Sequence, residues 1–244
     1  MAGSEGAAGG AARCVAVLYT TTNAGKLGEA RACFRLAAAR VAAARPGEPP
    51  LVFEVRSTAV EVPEPQAAPG EVAREKARRA LEALRRDAPE ALEGVDLVMA
   101  EDAALGLDCL AGFPGPYIKA MMQALAKKPG ADTAPAALAD IVGTLGEDGV
   151  TASCNVAAVR VGAGAGGGQD EPRVYAGELR GRIVAPRGEG THGGAISWSP
   201  AFLPDGDLGG GRCMGELTLE EQAEFSHRRV AIQALVDDLA AGRL

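Results

Sequence analysis

The spacing of apolar positions changes period along this chain. Residues 15–21 (VAVLYTT) form a short, continuous, β-prone apolar run, as expected of a buried strand. Residues 23–44, rich in Ala, Leu, Arg and Glu, predict a helix. Prolines break the chain over 46–50; residues 51–60 then alternate like a strand and enter a Pro/Glu-rich loop, 61–70. A second helix is expected over 71–86. An apolar run, 96–100, leads into the acidic pair Glu101-Asp102, placing both carboxylates at a strand end, and 103–110 continues as strand or turn. Pro116 suits the first turn of a helix reaching about Ala126, and another helix runs from near Thr133 to just before Gly146. Segments 150–161 and 173–184 read as an antiparallel pair flanking a flexible Gly-rich loop, 162–171. The last helix opens on a capping box, Thr218 with Glu221, and carries Phe225, Ile232, Leu235 and Leu239 at helical spacing. This order predicts a mixed α/β fold, its sheet flanked by helices, in a single domain over 13–244 behind a disordered Gly/Ala-rich tail, 1–12.

Composition narrows the possible partners. The 244 residues are 47% hydrophobic but only 4% aromatic, so the core is built from Ala, Val and Leu. A net charge of −7 argues against a nucleic-acid polymer, which needs a basic face, but leaves room for a small phosphorylated ligand. The five cysteines are scattered without C-x-x-C spacing, pointing to reduced thiols in a cytoplasmic protein. No apolar run approaches the length of a membrane span, and no signal-peptide pattern opens the chain.

Four constellations carry candidate chemistry. The turn Thr20-Thr21-Thr22-Asn23-Ala24-Gly25-Lys26 follows a strand and opens a helix, where backbone N–H groups, hydroxyls and a lysine suit phosphate oxygens; it lacks Walker A spacing, and a plain cap by Thr22 or Asn23 is the bland alternative. Glu101 and Asp102 suit a magnesium ion and a positioned water, with Glu64 and Glu71 placed to add oxygens, although a solvated loop and a helix-start charge explain the latter two equally well. Ser226-His227-Arg228, inside the last helix, suits a phosphate or a base edge, or else belongs to a solvated charged stretch with Arg229. A Ser–His–Asp triad is excluded because adjacent helical residues diverge by about 100° and no G-x-S-x-G elbow exists. Lys76 and Lys119 add cations, Lys119 from the Pro/Gly-dense run GFPGPYIK, and the single tryptophan, Trp198, either stacks on a base or plugs the core.

Taken in order, TTNAGK, Val62-Pro63-Glu64, Glu101-Asp102, GFPGPYIK, GRIVAPRG (181–188) and Ser226-His227-Arg228 closely resemble the inosine triphosphate pyrophosphatase family over nearly the whole chain. The resemblance implies an elongated α/β fold with two lobes around a central nucleotide cleft, a homodimer, and hydrolysis of deaminated purine nucleoside triphosphates (ITP, dITP, XTP) to monophosphate and pyrophosphate. By position it implies that Thr21, Thr22, Asn23, Lys26, Lys76 and Lys119 surround the phosphates. Glu64 and Asp102 would bind magnesium, with manganese as the alternative cation, and Asp102 would also be the catalytic base. Trp198, Ser199, His227 and Arg228 would face the base. The chain departs from the family pattern at Ile196, where an aromatic is usual, at Ser199, where an Asp is usual, at Gln222, where a ligand-facing Lys is usual, at Ala103, where a hydroxyl is usual, and at Thr22, where a Gly is usual. The phosphate and metal side is thus largely kept and the base side altered. Two alternatives follow: the same chemistry with relaxed base specificity, or a nucleotide-binding protein with weakened catalysis.

Overall fold

A computed structural model describes residues 11–128, 132–162, 171–189 and 194–244. The expected tail up to residue 10, and residues 163–170 of the expected Gly-rich loop, lie outside the described residues. The sheet is mixed, in the order β2-β1-β3-β5-β6-β7, with β4 paired to β3 off that path. Its members are β1 (Arg13–Thr20), β2 (Leu51–Thr58), β3 (Leu97–Leu107), β4 (Pro114–Gly115), β5 (Gly149–Arg160), β6 (Arg173–Ile183) and β7 (Phe202–Pro204). The helices are α1 (Ala24–Ala44), α2 (Pro69–Asp87), α3 (Ile118–Leu125), α4 (Ala134–Leu145), α5 (Leu219–Ala223) and α6 (His227–Ala240). β1 pairs in parallel with β2 and β3, whereas β3, β5, β6 and β7 are antiparallel.

The apolar runs of β1 and β3 are continuous because helices cover both faces of the sheet. Val17, Tyr19, Leu97 and Met99 pack with α1 and α6 residues such as Phe34, Ile232 and Leu235. Their neighbours Leu18 and Val98 point the other way, onto Leu81 and Leu84 of α2. A separate cluster, with Leu105, Leu107, Met122, Leu138 and Phe202, fills the far end of the sheet beneath α3 and α4.

Two sequence expectations need correction. Glu101 and Asp102 stand in mid-strand, since β5 pairs with β3 along its whole length, from Leu97 opposite Arg160 to Leu107 opposite Val150. The last helix is two helices: the Thr218–Glu221 capping box opens only the short α5, and Ser226 starts α6 afresh. Ser226 is extended at φ −64° and ψ 161° and its side chain accepts from the Arg229 N–H, so Ser226-His227-Arg228 forms a helix start.

Candidate active site

The cleft begins where β1 leaves β3. The two strands pair only over Leu97–Met99, after which β1 ends and the chain turns into α1. Asn23 caps that helix, its Oδ1 accepting from the Lys26 N–H at 3.0 Å, while the Thr21 hydroxyl accepts from the Asn23 N–H at 3.2 Å. The capping alternative is therefore true of Asn23, and Thr22 is exposed. A helix start with free N–H groups favours an anion in any case.

Just beyond Met99, β3 carries its two carboxylates. Strand alternation sends them to opposite faces of the sheet. Glu101, on the α1 and α6 side with Met99, is buried and receives Arg228 in a two-pronged pair, Nε to Oε2 and Nη2 to Oε1, both at 2.8 Å. Lys26 Nζ lies 2.9 Å from the same Oε1, and Cys154 Sγ is 3.6 Å from Oε2. Arg228 also binds buried Glu29 of α1, and the Ser226 hydroxyl donates to Glu29 Oε1 at 2.5 Å. Burial by itself would raise the Glu101 pKa, but the Arg228 and Lys26 charges outweigh it and hold the carboxyl well below its usual range. Glu101 is thus a fixed anion that positions the Lys26 ammonium.

Asp102 faces the α2 side. Lys76 Nζ is 3.8 Å from its Oδ1 and 2.8 Å from Glu64 Oε1, while Asp102 Oδ2 is buried without a hydrogen-bond partner. Burial pushes Asp102 up to about 6, against the pull of Lys76 and Lys26. Glu64 is held low, first by its hydrogen bond to Lys76, with Lys119 and Lys26 adding their charge. Among the described residues, no group of three or more His, Cys, Asp or Glu side chains forms a metal cage. A hard divalent cation shared with phosphates does not need one, because one or two carboxylates and water suffice. The unpartnered oxygen of Asp102 beside Glu64 fits that requirement. Glu71 sits exposed in the first turn of α2, where its charge suits the helix dipole, and Glu101 is already saturated by cations.

The other end of the cleft carries no carboxylate among its described lining. Lys26, Lys119 and Asn23 meet there with Ile196, Ser197, Trp198, Ser199 and His227. The GFPGPYIK turn that delivers Lys119 has positive φ at Gly112 and Gly115 (91° and 56°), which explains its glycines. Trp198 is half-buried. It meets Phe202 edge-on at 5.3 Å, packs 5.9 Å from the His227 ring, and contributes to the pocket, so it serves both core and cleft. Ser197 and Ser199 are buried, with their hydroxyls 2.7 Å apart.

The structure therefore gathers Asn23, Lys26, Lys119, Trp198, Ser199, His227 and Arg228 around one pocket, and places Lys76, Glu64 and Asp102 together. Three readings change. Residues 226–229 are no solvated stretch: all four are at most 4% exposed, since α6 lies so close to β6 that a Cβ on Gly177 would stand 2.1 Å from the His227 carbonyl. Arg228 spends its guanidinium on Glu101 and Glu29, making it a structural clamp within the pocket wall. Gln222 is fully buried and donates to the Met214 and Leu217 carbonyls, so its amide serves the core and is turned away from a ligand-facing role. Glu29 escaped the sequence reading. Its signal was a carboxylate in line with Cys33 and Ala37, at i, i+4 and i+8 on the buried stripe of α1.

Comparison with known proteins agrees with this architecture. The Ham1 family pattern matches residues 17–238. An inosine triphosphate pyrophosphatase of Emericella nidulans is 33% identical over 193 residues, covering 78% of this chain and 87% of its own. Another, of Aspergillus fumigatus, is 34% identical over 193 residues, covering 79% and 86%. The Staphylococcus aureus Ham1 protein superposes with a TM-score of 0.62 at 20% identity, over 93% of this chain and 99% of its own, and so shares the fold. With a family match spanning almost the entire described sheet and relatives above 30% identity, this chain belongs to the Ham1 family.

Proposed function

We propose that the protein hydrolyses purine nucleoside triphosphates of the inosine and xanthosine type to the monophosphate and pyrophosphate, removing them from the nucleotide pool. The observation that carries this is Asp102, a buried carboxyl pushed up to about 6, with Lys76 3.8 Å from its Oδ1 and the charge of Lys26 also felt there. A general base works best with a pKa near the working pH. The names of the relatives point to the same reaction.

In this reading Lys26, Lys76 and Lys119, with the amides around Asn23, hold the triphosphate and balance the charge that grows on the leaving pyrophosphate. Asp102 accepts a proton from water as the water oxygen bonds to the α-phosphorus and the α–β bridging oxygen departs with pyrophosphate. A divalent cation against Glu64 and Asp102, magnesium or else manganese, supplies further neutralisation of phosphoryl oxygens. Trp198 and His227 flank the base. A single two-lobed domain over 13–244, a homodimer and a cytoplasmic setting complete the proposal.

Pyrophosphate release from ITP, measured with and without magnesium, tests it. Release that depends on the cation supports the reading. Thermal stabilisation by ITP with no product overturns it in favour of a nucleotide-binding protein.

A further inference from the structure

The sheet ends in β2, and among the described residues no strand pairs with its outer side. Successive residues of a strand turn their N–H and C=O groups to opposite sides, and two contacts fix which side each takes here. The Pro50 carbonyl accepts from the Arg13 N–H of β1 at 2.9 Å, so even-numbered residues turn inward. The Val55 carbonyl accepts from Arg31 Nε of α1 at 3.0 Å, so odd-numbered residues turn outward. The backbone groups of Leu51 and Phe53, with the Val55 N–H, therefore stand on the open edge.

A groove of about 600 Å³ runs between that edge and α1. Its described lining joins Ala38, Ala42, Phe53 and the 49%-exposed Val52 to two arginines, Arg31 and Arg35. Arg35 is exposed and makes no ion pair among the described residues. Glu54, the one carboxylate in that lining, lies 3.7 Å from Arg56 Nε, so its charge is already met. The groove is thus left with positive charge on a chain whose net charge is −7. A two-fold contact with a second copy would set this positive patch against itself. An extended acidic segment satisfies the open edge, the apolar floor and the arginines together. We infer that β2 and α1 form a docking groove for an acidic peptide segment of a partner protein, which adds to the free edge of β2 as a further strand. Leu51 stands opposite Arg13, so the groove lies toward the start of β1, whereas the nucleotide cleft opens beyond its end at Thr20.

A short peptide of alternating Val and Glu tests this, with alternating Val and Lys as control. Fluorescence anisotropy should show binding of the acidic peptide alone, weakening as salt rises. No binding up to about 1 mM overturns the proposal. Arg35→Glu places like charges together and should weaken binding at least about tenfold, with Arg35→Ala shifting it less in the same direction. Affinity unchanged in both variants also overturns it. Amide hydrogen exchange reads the strand itself. Bound peptide should slow exchange at Phe53 and Val55 and leave Val52 and Glu54 unchanged, because only the odd-numbered amides gain a partner. Uniform or absent slowing overturns strand addition. Slowing that grows with protein concentration, without peptide, assigns the edge to a second copy and overturns the acidic partner. None of these readouts uses turnover, so the outcome is independent of the hydrolytic reading.

Discussion

The two ends of the cleft are built on opposite principles. At the phosphate end the polar groups have fixed signs and, Asp102 Oδ2 aside, the buried ones have fixed partners: Glu29 and Glu101 hold Arg228, Glu101 holds Lys26, and Glu64 holds Lys76. At the base end, the wall is an aromatic ring beside two hydroxyls whose donor and acceptor roles are interchangeable. Triphosphates share one charge pattern whatever the base, so rigid charges cost nothing in generality there. Bases differ in hydrogen-bond polarity, so their discrimination falls to the base end. Such a division of labour predicts that damage at the phosphate end is severe and blind to the base. Damage at the base end should be milder.

Asp102→Asn is the largest test. Losing the general base should lower kcat by about 10²–10⁴-fold with ITP and XTP alike, with nucleotide binding nearly kept. A variant whose loss depends on the base would break the contrast between the two ends. Next comes Glu29→Ala. Arg228 would then be buried with half its pairing gone, at a cost of about 3–5 kcal/mol in urea unfolding. A loss below about 1 kcal/mol would show that Glu101 alone satisfies Arg228.

Trp198→Ala probes the other end. Removing an aromatic face that stacks on a base costs about 1–3 kcal/mol, or roughly 5–150-fold in KM, equally for every purine because each has a π-face. A loss confined to one base would make Trp198 a reader of hydrogen-bond edges and erase the distinction drawn here.

The same contrast governs what the sequence disclosed. The strand–helix order was legible because α1 is rich in helix formers, α2, β5 and β6 follow plain periodicity, and the helix starts at Asn23 and Thr133 carry their own capping side chains. The break before α6 was not, because Phe225, Ile232, Leu235 and Leu239 continue a helical stripe across it and only the Glu29–Ser226 contact, distant in sequence, shows why the helix restarts. Lys26 and Lys119 were found because each stands in the first turn of a helix that a recognisable loop sequence opens. The inner charges were not recognised as partners: Glu29 drew no reading, and Arg228 was given to the base edge or to a solvated stretch. Arg228 extends the Ile232, Leu235 and Leu239 stripe by one turn, just as Glu29 extends that of Cys33 and Ala37. A charge on an apolar stripe has meaning only with its partner, and the partner is supplied by another element.

The smallest effect separates the two acidic neighbours of β3 by pH. With Asp102 at about 6 and Glu101 held far lower, only Asp102 titrates in the working range. The kcat/KM profile should bend near pH 6, falling about tenfold by pH 5, because the base must be ionised to accept a proton. The limb should sit lower in kcat, where a bound cation favours the carboxylate. Stability has the opposite sign. A raised acid pKa in the folded state stabilises it below the unfolded value of about 3.9 and loses that contribution as pH climbs to 6, at most about 3 kcal/mol. Asp102→Asn should therefore melt higher than the wild type at pH 8 and lose that advantage near pH 4. A variant that gains nothing at pH 8 would mean that Lys76 already satisfies the Asp102 carboxylate, and Asp102 would then resemble its neighbour Glu101, a fixed anion instead of a base.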